Sequence, residues 1–238
     1  MTATAVRPTE PARRSAELGL VLRKVLLAPD DGFRSAAAVA GRRRRAGVRP
    51  VEGRAPRILA LVGGASLMLL WLKLGALLGV RSVTAGDYRV GYLVAAVVLG
   101  GVLGLLAQLL WAAAVFGPVI ARLGGSVQAA ELRLVWGAAS FPLALGSVVL
   151  LPIDLVLAGP GIFTSERLGT VATAWAALSI ALSVSIAVWW LFLLFKGTRA
   201  VAGLGGRHAA WTTAAALGSL AITVVAFWGI GLAARGWV

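Results

Sequence analysis

The chain has 238 residues, of which 59% are hydrophobic and 13% are charged, whereas soluble domains carry about 25% charged residues. Together with a mean hydropathy of +0.89, this composition is typical of a polytopic membrane protein. The sequence contains no cysteine and a single histidine, which excludes disulfides, thiolate nucleophiles and cysteine-containing metal sites. We therefore expect neither a metal nor a cofactor.

The formal net charge of +14 is concentrated near the N-terminus, because 13 of the 23 Lys and Arg residues lie in residues 1–57. Beside a membrane domain, such an excess indicates anionic lipid headgroups as the partner. The run from Arg42 to Arg45 lacks the interleaved aromatic residues of single-strand binding surfaces. We therefore do not expect nucleic acid, and we assign Arg42, Arg43, Arg44 and Arg45 to contacts with lipid headgroups.

Residues 1–57 are predicted to form a basic cytoplasmic segment with amphipathic helices. Ser15 to Ala28 has helical periodicity, and Pro29 should end this first helix. A second helix should start at Asp30 and Asp31, where negative charge suits the helix dipole. We expect the first helix to lie on the membrane surface or against the spans, burying its apolar stripe (Leu18, Leu22 and Val25). The apolar side of the second helix comprises Phe33, Ala36, Ala37 and Ala40.

Residues 58–238 are predicted to form an all-α transmembrane domain with five spans, since each apolar stretch exceeds the ~20 residues that cross a bilayer. The second stretch is longer than the hydrocarbon core is thick, so it must tilt or project beyond the bilayer. Pro118 should mark its end. Pro142 and Pro152 predict a kink in the third. The predicted spans are Ile58–Leu78, Gly91–Ile120, Leu134–Leu157, Val171–Phe195 and Ala209–Ala233.

The distribution of Lys and Arg predicts the orientation. The N-terminal segment and the connections Ala121–Arg133 and Lys196–His208 carry 18 of these residues, whereas the opposite side carries four. Basic residues favour the cytoplasmic side, so the N-terminus should be inside and the C-terminus outside the cell membrane. Aromatic residues including Trp136 and Trp175 fall near predicted span ends, where interfacial rings prefer to lie.

Polar residues within spans are the candidates for function, because the bilayer makes them costly. Lys73, Gln108 and Asp154 stand out. Gln108 is expected to bond to a neighbouring helix rather than to a substrate. Six serines could bond back to a carbonyl one turn earlier (Ser66, Ser140, Ser147, Ser179, Ser183 and Ser185). The pairs Gly75 with Gly79 and Gly100 with Gly104 should allow close helix packing.

Lys73 and Asp154 are the only base and acid placed within predicted spans, and both should lie in the outer half. Two arrangements remain open at this point. The two side chains could form an ion pair, which would reduce the cost of burying each charge. Alternatively, Lys73 could snorkel to the outer interface while Asp154 is solvated separately.

Three stretches resemble elements of the bacterial YIP1 family of small five-span membrane proteins. The stretch from Leu26 to Arg34 resembles the family's N-terminal Pro-x-x-x-Phe-Arg element, and Arg122 to Pro142 resembles its Leu-Gly-Gly element with a downstream proline. Leu193 to Ala210 resembles the exit from the family's fourth span. The matching residues are Pro29, Phe33, Arg34, Gly124, Gly125, Pro142 and Gly197.

This resemblance implies an all-helical integral membrane protein with a cytoplasmic N-terminal segment. The sequence itself contains no recognisable catalytic constellation, so we expect no catalytic residues. The leading interpretation is a non-enzymatic scaffold or organiser that binds the lipid surface and partner proteins. A small transporter or channel subunit is the alternative, motivated by Lys73, Gln108 and Asp154. An intramembrane enzyme is a third class, but no histidine lies within a span to activate a serine.

Overall fold

The computed structural model describes residues 20, 22–45, 54–77, 89–109, 117–125, 127–163, 168–215 and 217–218, and these residues form helices and connections without a strand. The fold of this part of the chain is therefore all-α, as predicted. The helices are α1 (Pro29–Arg45), α2 (Arg54–Leu77), α3 (Arg89–Leu106), α4 (Gly117–Arg122), α5 (Ala129–Ala139), α6 (Phe141–Leu157) and α7 (Thr170–Ala202), with a 3-10 turn at Gly159–Phe163. Residues 22–27 and 206–215 are also helical.

Three helical stretches are long and apolar enough to cross a membrane, namely Ala55–Leu77, Ala129–Leu157 and Thr170–Ala202. They correspond to the first, third and fourth predicted spans, which supports a helical membrane protein. The second predicted span contains a shorter apolar helix, Leu93–Leu109. Most of the fifth lies outside the described residues, which stop at residue 218.

The C-terminal end of the second predicted span is described only in part. The described residues resume with a six-residue helix, Gly117–Arg122, of which Pro118 is the second residue. Proline is tolerated there because its missing N–H would have no partner within the helix. Residues 110–116 lie outside the described part of the chain.

The fourth span continues further than its apolar run. Helix α7 contains 33 residues and ends at Ala202, where Gly203 adopts a left-handed conformation with φ of 66°. Glycine takes this conformation without the cost of a Cβ and commonly terminates helices. Lys196, Gly197 and Arg199, which the sequence assigned to the following connection, are therefore part of the helix.

The third predicted span is interrupted, but only at one of its prolines. Helices α5 and α6 meet at Ser140, and Pro142 occupies the first turn of α6. Proline lacks the N–H that would continue the hydrogen-bond ladder, so the break falls just before it. Pro152 lies inside α6 without ending the helix.

Glycines allow α2 and α3 to pack closely. A Cβ placed on Gly64 would lie only 2.5 Å from the Cα of Gly104, and one on Gly100 would lie 2.5 Å from the Cβ of Met68. The expected packing role of Gly100 and Gly104 is confirmed, with Gly64 as their partner across the interface. No atom of the described residues lies within 4 Å of the Cβ position of Gly75, so this part of the chain shows no close packing at that glycine. Gly79 lies outside the described residues.

The main apolar core joins the N-terminal helices to α5 and α7. Val25 and Phe33 are fully buried and cluster with Trp136, Trp190 and Leu193. The rings of Trp136 and Trp190 meet edge to face with centroids 5.8 Å apart. Trp136 is therefore a core residue that is only 6% exposed, so its ring packs within the protein. Helix α5 begins five residues before the predicted span and carries Trp136 inward.

Candidate functional site

Helices α2 and α6 bring a buried lysine and a buried aspartate together. Lys73 lies near the C-terminal end of α2 and Asp154 near that of α6, so two helices running in the same direction place both side chains at a shared depth. The Nζ atom of Lys73 lies 2.6 Å from Oδ2 of Asp154, and the two side chains are only 4% and 0% exposed. Of the two arrangements left open by the sequence, the ion pair is present and separate solvation is not.

Helix α7 supplies the remaining polar partners from one of its faces. Trp175, Ser179 and Ser183 are spaced by four residues, so their side chains point to the same side of the helix. Ser179 connects the two charges, because its Oγ accepts a hydrogen bond from Lys73 Nζ at 2.8 Å and donates one to Asp154 Oδ1 at 2.6 Å. The indole N–H of Trp175 also donates to Oδ1, at 3.0 Å. Asp154 is thus held by an ammonium and two neutral donors.

The 3-10 turn after α6 covers the ion pair with apolar side chains. Ile162 and Phe163 are buried and cluster with Leu69 and Leu72 of α2. The ring centroid of Phe163 lies 5.8 Å from Lys73 Nζ, within the range of a cation–π contact. Coulomb attraction strengthens when water is excluded, so the covering turn strengthens the pair.

A cavity of about 30 Å³ adjoins the ion pair between α2, α6 and α7. Its polar lining comprises Lys73, Asp154 and Ser183 together with Ser66 and Ser147. The Oγ atoms of Ser147 and Ser66 are 2.6 Å apart, and Ser66 Oγ lies 3.0 Å from the carbonyl oxygen of Leu143. Since one water needs roughly 10–15 Å³ by this measure, the volume suits about two water-sized groups.

Gln108 is remote from this cluster, so the three candidate polar residues do not form one site. Its amide nitrogen donates to the carbonyl oxygens of Pro56 at 3.0 Å and Arg133 at 2.8 Å. Pro56 lies 17 residues before Lys73 on α2, or about 26 Å along the helix at ~1.5 Å per residue. Gln108 is fully buried and ties the start of α2 to α5, which confirms its expected bond to neighbouring helices.

The serine predictions are confirmed at some positions and wrong at others. Ser66, Ser140, Ser183 and Ser185 each bond to the carbonyl one turn earlier, as expected. Ser147 and Ser179 instead bond to side chains on other helices. The spacing of Ser179 from Trp175 and Ser183 was the signal in the sequence that could have linked it to a shared polar face.

The chemistry of the Lys73 cluster favours charge pairing over nucleophilic catalysis. Ser179 lies within hydrogen-bond reach of an amine, which is one geometry for an activated hydroxyl. Here, however, Lys73 Nζ donates its hydrogen bond to Ser179 Oγ, and the hydroxyl of Ser179 donates to Asp154 Oδ1 instead of to the amine. Ser179 is also fully buried, so a substrate has no access to its oxygen.

A second candidate site is the N-terminal helical segment, which we define as residues 22–45. It packs against α5 and α7, with Val25 and Phe33 fully buried. A Cβ on Gly197 would lie 2.9 Å from the Phe33 ring, so the absence of a side chain at Gly197 admits that ring. Asp30 Oδ2 and Lys196 Nζ form an ion pair at 3.0 Å beside this contact. Burial of Val25 confirms one position of the predicted stripe; Leu22 is partly buried, and Leu18 lies outside the described residues.

The residues that carry the YIP1 resemblance occupy structurally demanding positions. Pro29 opens α1, whereas Arg34 is exposed one turn further on. Gly124 has a positive φ of 78°, and Gly125 packs against Ile120 and Leu204. Pro142 is buried at the start of α6.

Helix α1 ends at Arg45, so the arginine run Arg42 to Arg45 occupies its last turn. The side chains of these four arginines lie outside the described part of the structure. Cations at a helix C-terminus are favoured by the negative end of the dipole. The backbone path therefore places four basic residues at one end of a helix whose other end is docked on α7.

The described residues contain no group of three or more His, Asp or Glu side chains able to hold a metal ion. His208 is exposed, and its carbonyl oxygen accepts a hydrogen bond from Thr212. No protein-family model, curated protein or solved structure matches the chain.

Proposed function

We propose that this chain is a non-enzymatic integral membrane protein of the YIP1 type, a scaffold that binds lipid surface and partner proteins through its cytoplasmic N-terminal segment. In this proposal it lies in the cell membrane with five spans, the N-terminus inside and the C-terminus outside. The observation that carries the proposal is the docking of the N-terminal helical segment on α5 and α7 through Phe33 and Gly197.

Docking gives the arginine run a defined position relative to α7. Because Phe33 is fully buried and Asp30 pairs with Lys196, α1 is held at its N-terminal end. Each basic residue near an anionic membrane surface is worth about 1 kcal/mol. Four such residues at one helix end therefore supply up to ~4 kcal/mol toward an anionic surface, or roughly a thousandfold in affinity.

Vesicle capture tests this function. The full chain is reconstituted in nanodiscs of neutral phosphatidylcholine, and binding of added vesicles containing phosphatidylglycerol is measured. We expect capture by the native protein and a loss of up to about a thousandfold when Arg42, Arg43, Arg44 and Arg45 are all changed to Gln.

The matched control removes the same charge from the opposite side of the predicted topology. Changing Arg81, Arg89, Arg167 and Arg235 to Gln should leave capture unchanged. Equal capture by the native chain and the variant of the arginine run would overturn the proposal.

A small transporter or channel subunit is the second candidate, and the ion pair of Lys73 with Asp154 beside a polar cavity favours it. Ionisable residues buried within membrane spans often mark an ion pathway. The test is proton and sodium flux into proteoliposomes, followed with an enclosed pH-sensitive dye and with radioactive sodium. A transporter should lose its flux on Asp154→Asn and keep it on Ser185→Ala. Absence of flux for the native chain would reject this candidate for both ions.

A further inference from the structure

An exposed stripe on α7 combines aromatic and basic side chains. Trp189 and Phe192 are 41% and 39% exposed, and their rings stack with centroids 5.1 Å apart and planes inclined by 28°. Lys196 and Arg199 follow at spacings of four and three residues. At 3.6 residues per turn, these four positions fall within an arc of about 80°, with Leu182 on the same side. We call these five residues the α7 stripe.

The length of α7 places the parts of this stripe at different depths. A helix of 33 residues is about 50 Å long, whereas the hydrocarbon core is ~30 Å thick. With the outer edge of the hydrocarbon core taken at Thr170, Trp189 lies about 28 Å along the helix and so near the inner edge of that core. Lys196 and Arg199 lie about 39 and 44 Å along it, which is the depth of the headgroups on that side.

One of the two basic residues of the α7 stripe has no ion-pair partner among the described residues. Lys196 Nζ is shared, since it pairs with Asp30 and lies 5.6 Å from the centroid of Phe192. These contacts fix the ammonium directly beyond the stacked rings. Arg199 is exposed and forms no ion pair with any described residue. A phosphate beside Lys196 and Arg199 would therefore meet a net positive site, because Asp30 offsets only one of the two cations.

We propose that the α7 stripe is a binding site for one anionic phospholipid. Lys196 and Arg199 contact its phosphate and charged headgroup, the stacked rings of Trp189 and Phe192 support the glycerol region, and an acyl chain runs along Leu182. Arginine suits the phosphate because its planar guanidinium can donate two hydrogen bonds at once. The lipid belongs to the same membrane as α7, which separates this site from the arginine run.

The site rests on the proposed membrane insertion and deepens it by naming a lipid class. It requires an anionic headgroup, since a zwitterionic lipid adds a cationic group next to the two basic side chains. The expected preference is therefore for phosphatidylglycerol over phosphatidylcholine with identical acyl chains. The rings of Trp189 and Phe192 at the hydrocarbon edge contact parts that both phospholipids share. They should therefore affect how much lipid is retained more than the preference for phosphatidylglycerol over phosphatidylcholine.

Native mass spectrometry of the full chain measures this preference directly. The protein is released from micelles containing equal amounts of the two lipids, and the ratio of retained phosphatidylglycerol to phosphatidylcholine is recorded. Arg199→Gln should lower the ratio about fivefold, which corresponds to ~1 kcal/mol for one surface cation. Lys196→Gln should lower it in the same direction, and Trp189→Leu should reduce retention of both lipids with little change in the ratio.

Arg122→Gln is the matched control, because Arg122 is an exposed arginine at the end of α4 and its loss changes the net charge equally. It should leave the ratio unchanged. An unchanged ratio for Arg199→Gln, or an equal fall for Arg122→Gln, would overturn the site. Arg199 has no ion-pair partner among the described residues, so Arg199→Gln leaves the ion pair between Lys196 and Asp30 intact. Vesicle capture tests the arginine run and native mass spectrometry tests the α7 stripe. Failure of the lipid site can therefore be distinguished from failure of the proposed function.

Discussion

The ion pair between Lys73 and Asp154 makes a quantitative prediction about stability. Changing Lys73 to Met leaves a buried carboxylate that retains its donors Ser179 and Trp175. In the native pair, Lys73 Nζ lies 2.6 Å from Asp154 Oδ2. Changing Asp154 to Asn leaves a buried ammonium and places a neutral amide beside it. In each single variant, one charge loses its counter-ion within an apolar enclosure.

Removing one member of a buried pair typically costs about 3–5 kcal/mol, whereas replacing both can be close to neutral. The two single variants should therefore each lower the free energy of unfolding by ~3 kcal/mol or more. The double variant leaves a neutral amide in an apolar enclosure, so it should not be fully neutral and should cost about 3–4 kcal/mol against a sum of ~6, a coupling energy of about 2–3 kcal/mol. Unfolding of the purified chain by denaturant in mixed micelles, with all four proteins compared, measures each value.

Serine variants provide a matched control for this cycle. Ser179→Ala removes the hydroxyl that bridges the two charges, and it should cost about 1–3 kcal/mol because hydrogen bonds to charged groups are lost. Ser185→Ala removes an exposed hydroxyl bonded only to its own helix, and we expect a change below about 0.5 kcal/mol. Strict additivity of the Lys73 and Asp154 variants would refute the coupling.

Three further predictions concern the packing and the topology. Gly64→Ala should destabilise the chain by about 1–3 kcal/mol because its Cβ would overlap Gly104. Gly75→Ala has open space around its Cβ and should be tolerated. Equal melting temperatures of the two variants would contradict this contrast. Phe33→Ala should lower the free energy of unfolding by ~3–5 kcal/mol, because it empties a buried site. It should also increase protease cleavage of residues 22–45 in proteoliposomes. Unchanged cleavage would show that the docking contributes little. A periplasm-active reporter fused after Val238 and a cytoplasm-active reporter fused after Arg122 should both give signal, and silence of the expressed C-terminal fusion would refute an odd number of spans.

Much of the fold could be predicted because hydrophobic length and helix-terminating residues act locally. The first, third and fourth spans follow from apolar stretches longer than the bilayer requires, and α1 follows from Pro29 and the two aspartates after it. The end of α7 was harder to predict. Lys196 appeared to close the apolar run, yet the helix continues because Phe33 packs against Gly197 and Gly203 supplies its terminus.

The candidate site was only partly predictable because pairing depends on which helices become neighbours. Depth along each span placed Lys73 and Asp154 at a similar level, but depth alone could not favour an ion pair over separate solvation. The 3-10 turn decides this question by covering Lys73 with Phe163. Ser179 was missed as a bridge, since a serine bonded to its own helix and one bonded across helices have the same sequence signature.

The contact between Phe33 and Gly197 joins two distant parts of the chain, the N-terminal helical segment and α7. The ring of Phe33 occupies the space that any larger side chain at Gly197 would fill. Neither residue stabilises the docked arrangement without the other, because alanine at position 197 would displace the ring and a small side chain at position 33 would leave a cavity. Their joint presence is therefore evidence for a docked N-terminal segment. Both residues are buried within the chain itself, so a protein partner would recognise the exposed surface of α1.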